Sequence, residues 1–186
     1  MRNLIFSINV TMDGCCDHTK GIPHEVILEY FADLMRSADT LVYGRITYQL
    51  MVPYWPDMAK TKSGETKAGN DFALAFDAVD NIVVFSRTLD KIESKKTRIV
   101  RSNLEDEILK LKQQPGKNIL LGGVDLPSQL LHTGLIDEYR LVVAPILVGE
   151  GRRLFQHIPL QERLPLKLVE SKIIGPGFVE LRYVKG

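Results

Sequence analysis

Apolar residues recur along this chain at two spacings. Leu4, Ile5, Phe6, Ile8 and Val10 form a compact run, and "MDGCCD" breaks it with an Asp–Gly turn signal. That pattern predicts a buried first strand over residues 2–10. Val26, Ile27, Tyr30, Phe31, Leu34 and Met35 then share one stripe of 3.6-residue period, with Glu25, Glu29, Asp33 and Arg36 opposite. This is an amphipathic helix with Pro23 suited to its start. "TLVYG" reads as a short strand and "RITYQLM" as a short helix. Residues 57–70 offer almost nothing to bury and read as a mobile surface loop.

"DFALAFDAV" resumes helical spacing, and "NIVVFSRT" and "TRIV" are β-branched strands. "SNLEDEILKLK" opens with Ser102 and carries Glu105 three residues on, the pattern of a capping box. "NILLGG" is a strand ending in two glycines, and "DLPSQLLHTG" is a helix with Gly134 as its stop. "IDEYRLVVAPILV" reads as one long strand. "LKLVESKII" and "FVELRYV" flank a Gly175-Pro176-Gly177 turn, and Val179, Leu181 and Tyr183 alternate with Glu180 and Arg182. This ending is an antiparallel hairpin.

Strands alternating with helices predict an α/β domain. Its central sheet is mixed but mostly parallel, with helices on both faces and an antiparallel C-terminal hairpin at its edge. The 186 residues suit a single domain, 1–186, without repeats or linkers. Lys and Arg number 24 against 23 Asp and Glu, so no positive field favours nucleic acid. No apolar run reaches membrane-spanning length, and no signal peptide is evident. The two cysteines are the neighbours Cys15 and Cys16, which read as reduced thiols of a cytoplasmic protein. His18, His24, His132 and His157 are scattered without metal-ligand spacing, so no metal is expected.

In open α/β sheets ligands bind beyond the carboxyl ends of the strands. Three groups fall there: Gly44, Arg45 and Thr47; Ser86 and Arg87; Gly122 and Gly123. Adjacent glycines let backbone N–H groups approach an anion, and the positive end of the next helix points at the same spot. Arginine forks and hydroxyls match phosphate oxygens. Taken singly, each group is equally an ordinary turn or a solvated surface residue. "GGVDLP" is not the G-x-G-x-x-G fingerprint, so spacing alone reaches only a phosphate-edged cleft.

The segments "TMDG", "LVYGRITYQLM", "NIVVFSRT" and "LLGGVDLPSQLLHTGLIDEYRLVVAPILVGEGRRLF" carry more. In order and spacing they resemble the dihydrofolate-reductase-like group that includes the reductase domain of the bifunctional riboflavin-biosynthesis deaminase–reductase. The resemblance runs from about residue 3 to 184, and its most specific part lies between Gly122 and Phe155. It implies a dihydrofolate-reductase-like fold, NADPH as cofactor and a free-standing, homodimeric reductase. By the same resemblance Gly44, Arg45 and Thr47 hold cofactor phosphates. Ser86 and Arg87 recognise the adenosine 2′-phosphate. Gly122, Gly123, Val124, Asp125 and Leu126 form the pyrophosphate turn, with a cis Gly122–Gly123 bond.

The chain departs from dihydrofolate reductases where those carry an acidic residue on the first helix. Ile27 or Leu28 stands there, and Glu25 and Glu29 lie on the polar face. It also lacks the zinc-deaminase pattern, so deamination is not expected. Asp13 is the candidate to bind or protonate a substrate, equally readable as a turn residue. Tyr54 and Trp55 are candidates to stack on a flat heterocycle. Arg152 and Arg153 read as a solvated pair. The expected activity is NADPH-dependent hydride transfer to a small heterocyclic or carbonyl substrate, as in reduction of 5-amino-6-(5-phosphoribosylamino)uracil. The alternative is a non-catalytic NADP(H)-binding module.

Overall fold

The computed structural model describes residues 1–92, 94–156, 158 and 163–186; His157 lies outside them. β1 (Leu4–Thr11) leads to α1 (Glu25–Arg36), β2 (Ala38–Gly44), α2 (Arg45–Met51), α3 (Tyr54–Thr61) and α4 (Lys67–Asp77). β3 (Asn81–Phe85), β4 (Thr97–Val100), α5 (Leu104–Gln113), β5 (Asn118–Leu121) and α6 (Asp125–Leu130) follow. β6 (Glu138–Ala144), β7 (Leu166–Ile173) and β8 (Val179–Lys185) complete one eight-stranded sheet of order β4-β3-β2-β5-β1-β6-β8-β7. β1 to β6 run parallel, whereas β8 pairs antiparallel with β6 and β7 antiparallel with β8.

The alternation of side chains along each strand divides the core. Leu4, Phe6, Ile8 and Val10 of β1 pack with Ile108 of α5 and Leu126 of α6 on one face. Ile5 packs with Ala32 and Met35 of α1 and Phe76 of α4 on the other. Both faces of the parallel strands are thus covered, as their near-continuous apolar sequences require.

Three local expectations are corrected. Residues 57–70 are not a loop: α3 reaches Thr61 and α4 starts at Lys67. Thr66 caps α4 by accepting from Gly69 N (3.1 Å), and the Asn70 amide ties down the carbonyls of Gly64 and Thr66 (3.0 Å each). α5 is capped by Asn103 rather than Ser102, since Asn103 Oδ1 accepts from Glu105 N at 2.8 Å. β6 ends at Ala144 because Pro145 has no N–H to carry the ladder further.

Candidate functional site

β3, β2 and β5 are neighbours, with Gly44 paired to Phe85 and Val42 to Leu121. Their carboxyl ends therefore deliver Ser86 and Arg87, then Gly44, Arg45 and Thr47, then Gly122 and Gly123, side by side on one edge. β5 stops at Leu121, opposite Phe6, while β1 runs on to Thr11 with β6 on its other flank. That notch opens a cleft of about 690 Å³ between α1, α2 and the sheet.

Gly44, Arg45, Thr47, Trp55, Gly122, Gly123, Val124, Asp125 and Leu126 all line the cleft. Ser86 and Arg87 lie just outside, beyond the lining residue Phe85. Ser86 Oγ accepts from Thr88 N (3.2 Å) and Leu89 N (2.9 Å), which leaves its own proton free for a ligand. Arg87 is exposed, and its guanidinium has no ion-pair partner among the described residues. Arg101, at the end of β4, steadies this turn by donating to the carbonyls of Ser86 (3.1 Å), Arg87 (2.9 Å) and Leu89 (2.7 Å). Arg101 was not among the sequence candidates, although it follows a strand just as Arg87 does.

The Gly–Gly turn is built differently from its expectation. Every described peptide bond is trans, so the expected cis Gly122–Gly123 bond is absent; Gly123 turns the chain through a φ of +82° instead. A side chain at Gly122 would place its Cβ 2.5 Å from Tyr43 Cε1, and one at Gly123 would run into Thr47 Oγ1. Close packing of protein on protein therefore already requires both glycines. Gly122 N–H is spent on Val42 O (3.0 Å), whereas no acceptor among the described residues takes the Gly123 N–H. α6 has only six residues and carries Asp125 in its first turn, so it adds little positive field.

The substrate candidates separate. Trp55 lines the cleft and packs on Phe72 with ring centroids 4.3 Å apart. Tyr54 is 57% exposed, on a different side of the same helix, and does not line the cleft. Asp13 does not line it either. Its carboxylate accepts from Thr11 Oγ1 (2.5 Å), Gly149 N (2.9 Å) and Val148 N (3.4 Å) and pairs with Arg153 (3.4 Å). The Thr11 hydroxyl first, then the Gly149 amide, holds this carboxyl well below the usual range. Asp13 is thus an ionised lock on the 146–153 segment and a poor proton donor. Arg152 and Arg153 are both partly solvated, yet each has a partner: Arg152 lines the cleft and bonds Asp125 (2.6 Å), and Arg153 holds Asp13.

Sequence reasoning missed several lining residues. Phe31 was legible only as helix core, and Leu28 only as a possible apolar replacement for the first-helix carboxylate; both line the cleft. Ser7 and Asn9 also line it; polar residues at alternate positions of an otherwise apolar β1 were the available signal. Cys16 lines the mouth, and burial pushes its thiol above the ordinary value, away from the reactive thiolate. Burial likewise raises the Tyr43 phenol. Among the described residues no His, Cys, Asp or Glu cluster is arranged to hold a metal. No helix among them is long and apolar enough to cross a membrane.

This mixed sheet with its antiparallel C-terminal strands is the dihydrofolate-reductase-like fold of the RibD reductases. The chain belongs to the RibD C-terminal domain family, whose model matches residues 2–179. It is 32% identical over 186 residues to "Uncharacterized protein YyaP" of Bacillus subtilis, covering 98% of this chain and 94% of that one. The "Putative riboflavin biosynthesis protein" of Shewanella sp. PV-4 superposes with a TM-score of 0.69 at 23% identity, over 100% of this chain and 99% of that one. The Thermotoga maritima diaminohydroxyphosphoribosylaminopyrimidine deaminase/5-amino-6-(5-phosphoribosylamino)uracil reductase gives 0.70 at 15% identity, over 100% of this chain and 57% of that one. At such identities the two structures bear on the fold alone.

Proposed function

We propose that this chain is an NADPH-dependent reductase acting on a small heterocyclic or carbonyl compound. One observation supports the reading above the rest: the adjacent carboxyl ends of β3, β2 and β5 line up Arg87, Arg45 and the Gly123 N–H beside one cleft. That row of donors matches a ligand with a pyrophosphate and a further phosphate. The residues fit a dinucleotide locally as well. A Cβ at Gly44 would meet only ordinary contact, with Leu126 Cγ at 3.8 Å, so packing within the chain does not itself require this glycine. Gly44, Arg45 and Thr47 would hold one end of the pyrophosphate and Gly122, Gly123, Val124, Asp125 and Leu126 the other. Ser86 and Arg87 would take the 2′-phosphate, which NADH lacks. NADPH supplies a hydride when bound; the chain's task is to orient the acceptor and keep water away. Arg152, paired with Asp125, ties the segment after β6 to the start of α6 at the mouth of the cleft.

A second reading, a non-catalytic NADP(H)-binding module, is favoured by two observations: Asp13 is locked outside the cleft, and the apolar Ile27 and Leu28 line the cleft on the first helix. The edge strand β7 is exposed along its whole length, with Leu168 49% and Ile173 77% accessible, and we assign this face to a homodimer contact. The cytoplasm is the proposed location. Side-by-side calorimetric titration with NADPH and NADH tests the cofactor reading. Tighter binding of NADPH is expected; binding of neither would end it. NADPH oxidation with any pterin, pyrimidine or quinone separates the reductase from the silent module.

A further inference from the structure

The inner half of the cleft differs from its rim. Its walls are Leu28 and Phe31 of α1, Met51 of α2, Trp55 of α3 and Phe72 of α4. Its floor is β1, where Ser7 and Asn9 contribute neutral polar groups. The charged lining residues balance, Arg45 and Arg152 against Asp17 and Asp125; Arg45, Arg152 and Asp125 are exposed and Asp17 is half-buried, whereas Phe72 is buried. Arg152 is already committed to Asp125 at 2.6 Å, and Arg45 donates to Gln49 at 2.9 Å. Asp17 accepts from Thr19 N (2.9 Å) and Thr19 Oγ1 (2.7 Å). The buried carboxylate of Glu180, only 1% exposed, does not line the chamber. It accepts from Tyr30 (2.8 Å) and pairs with Lys172 (3.1 Å) and Arg140 (3.8 Å).

We infer that the inner chamber takes an uncharged, planar, largely apolar molecule with one polar edge, a bicyclic quinone or neutral heteroaromatic, and not a phosphoribosyl pyrimidine. An aromatic body gains dispersion and burial against Phe31, Trp55 and Phe72. Ser7 and Asn9 offer a donor and acceptors to carbonyl or ring-nitrogen edges. A phosphate would have no unpaired cation to meet inside, and desolvating it there is prohibitive. The inference deepens the reductase reading and rests on it for the chamber's role as the acceptor site.

The test is calorimetric titration of the purified protein with menadione and, separately, with uridine 5′-monophosphate, each with and without saturating NADPH. Menadione is expected to bind tighter than the nucleotide by about tenfold or more, given the cost of an unpaired buried phosphate. Leu28→Asp is expected to weaken menadione by a similar factor, with circular dichroism reporting that the variant is folded. Equal or tighter binding of uridine 5′-monophosphate, or binding of neither probe, overturns the inference. NADPH affinity in the same experiment reports on the cofactor reading by itself: intact NADPH binding with failed menadione binding sinks only the chamber inference. The wild-type comparison stands alone if Leu28→Asp does not fold.

Discussion

Gly123→Ala is the sharpest probe of how this sheet edge is built. Two separate costs meet at this residue. Its φ of +82° lies in the left-handed region, where a side chain costs about 1–2 kcal/mol. The new Cβ would also fall inside van der Waals contact with Thr47 Oγ1, on the turn after β2. Forcing such a contact in a packed site costs about 1–3 kcal/mol. The sum is about 2–5 kcal/mol, and in a chain of this size that lowers Tm by about 4–20 °C. Gly149 supplies the control, because its φ is +72° and a Cβ there meets nothing within 4 Å. Gly149→Ala bears only the backbone strain, about 1–2 kcal/mol. Urea unfolding followed by Trp55 fluorescence measures both. Combining Gly123→Ala with Thr47→Ala removes the clashing hydroxyl. The double variant is expected to lose less than the sum of the singles, by about 1 kcal/mol. Equal losses at Gly123 and Gly149, or strict additivity with Thr47→Ala, would refute the claim that these two turns are packed against each other.

Two further outcomes follow from the charged residues away from the chamber. Because the Asp13 carboxyl is depressed in the folded state, its stabilisation is fully present above the ordinary carboxylate range near ~4 and fades as pH falls toward the lower folded value. The urea midpoint of Asp13→Asn should therefore trail wild type most at pH 7, and the gap should narrow as the pH is lowered toward 3. Glu180→Ala removes a buried carboxylate and leaves the Tyr30 hydroxyl without its acceptor, while the exposed Lys172 is solvated, so a loss of about 1–3 kcal/mol is expected by chemical denaturation. Tyr30→Phe removes only the hydrogen bond and should cost about 1 kcal/mol.

The strands and the long amphipathic helix were legible because their signal is local periodicity. α1 buries Leu34 and Met35 and exposes Glu25 and Glu29, as the stripe predicts. The terminal hairpin was legible from its alternation and its Gly-Pro-Gly turn. α3 and the start of α4 were not, because their packing residues are Ala59, Ala68 and Gly69, which leave almost no hydrophobic trace. At the site, the three strand ends could be found from sequence, since each strand stops in glycine or a polar residue. Their adjacency could not, because it depends on β5 inserting between β1 and β2. The fate of Asp13 was equally hidden: its partners Gly149 and Arg153 lie far along the chain. Tyr54 and Trp55 are neighbours in sequence, but successive residues of a helix point about 100° apart, so only one of them reaches the cleft.

The most direct test of the account is the ratio of NADH to NADPH dissociation constants, measured by Trp55 quenching and calorimetry in wild type and in Arg87→Ala. Trp55 is the sole tryptophan and lines the cleft, so it reports from the site itself. If Arg87 meets the 2′-phosphate, the variant should bind NADPH about 10- to 100-fold more weakly, the worth of a charge-assisted bond, with NADH affinity nearly unchanged. A wild type that binds the two nucleotides equally, or an Arg87→Ala variant that leaves their ratio intact, would contradict the assignment of this sheet edge to NADPH.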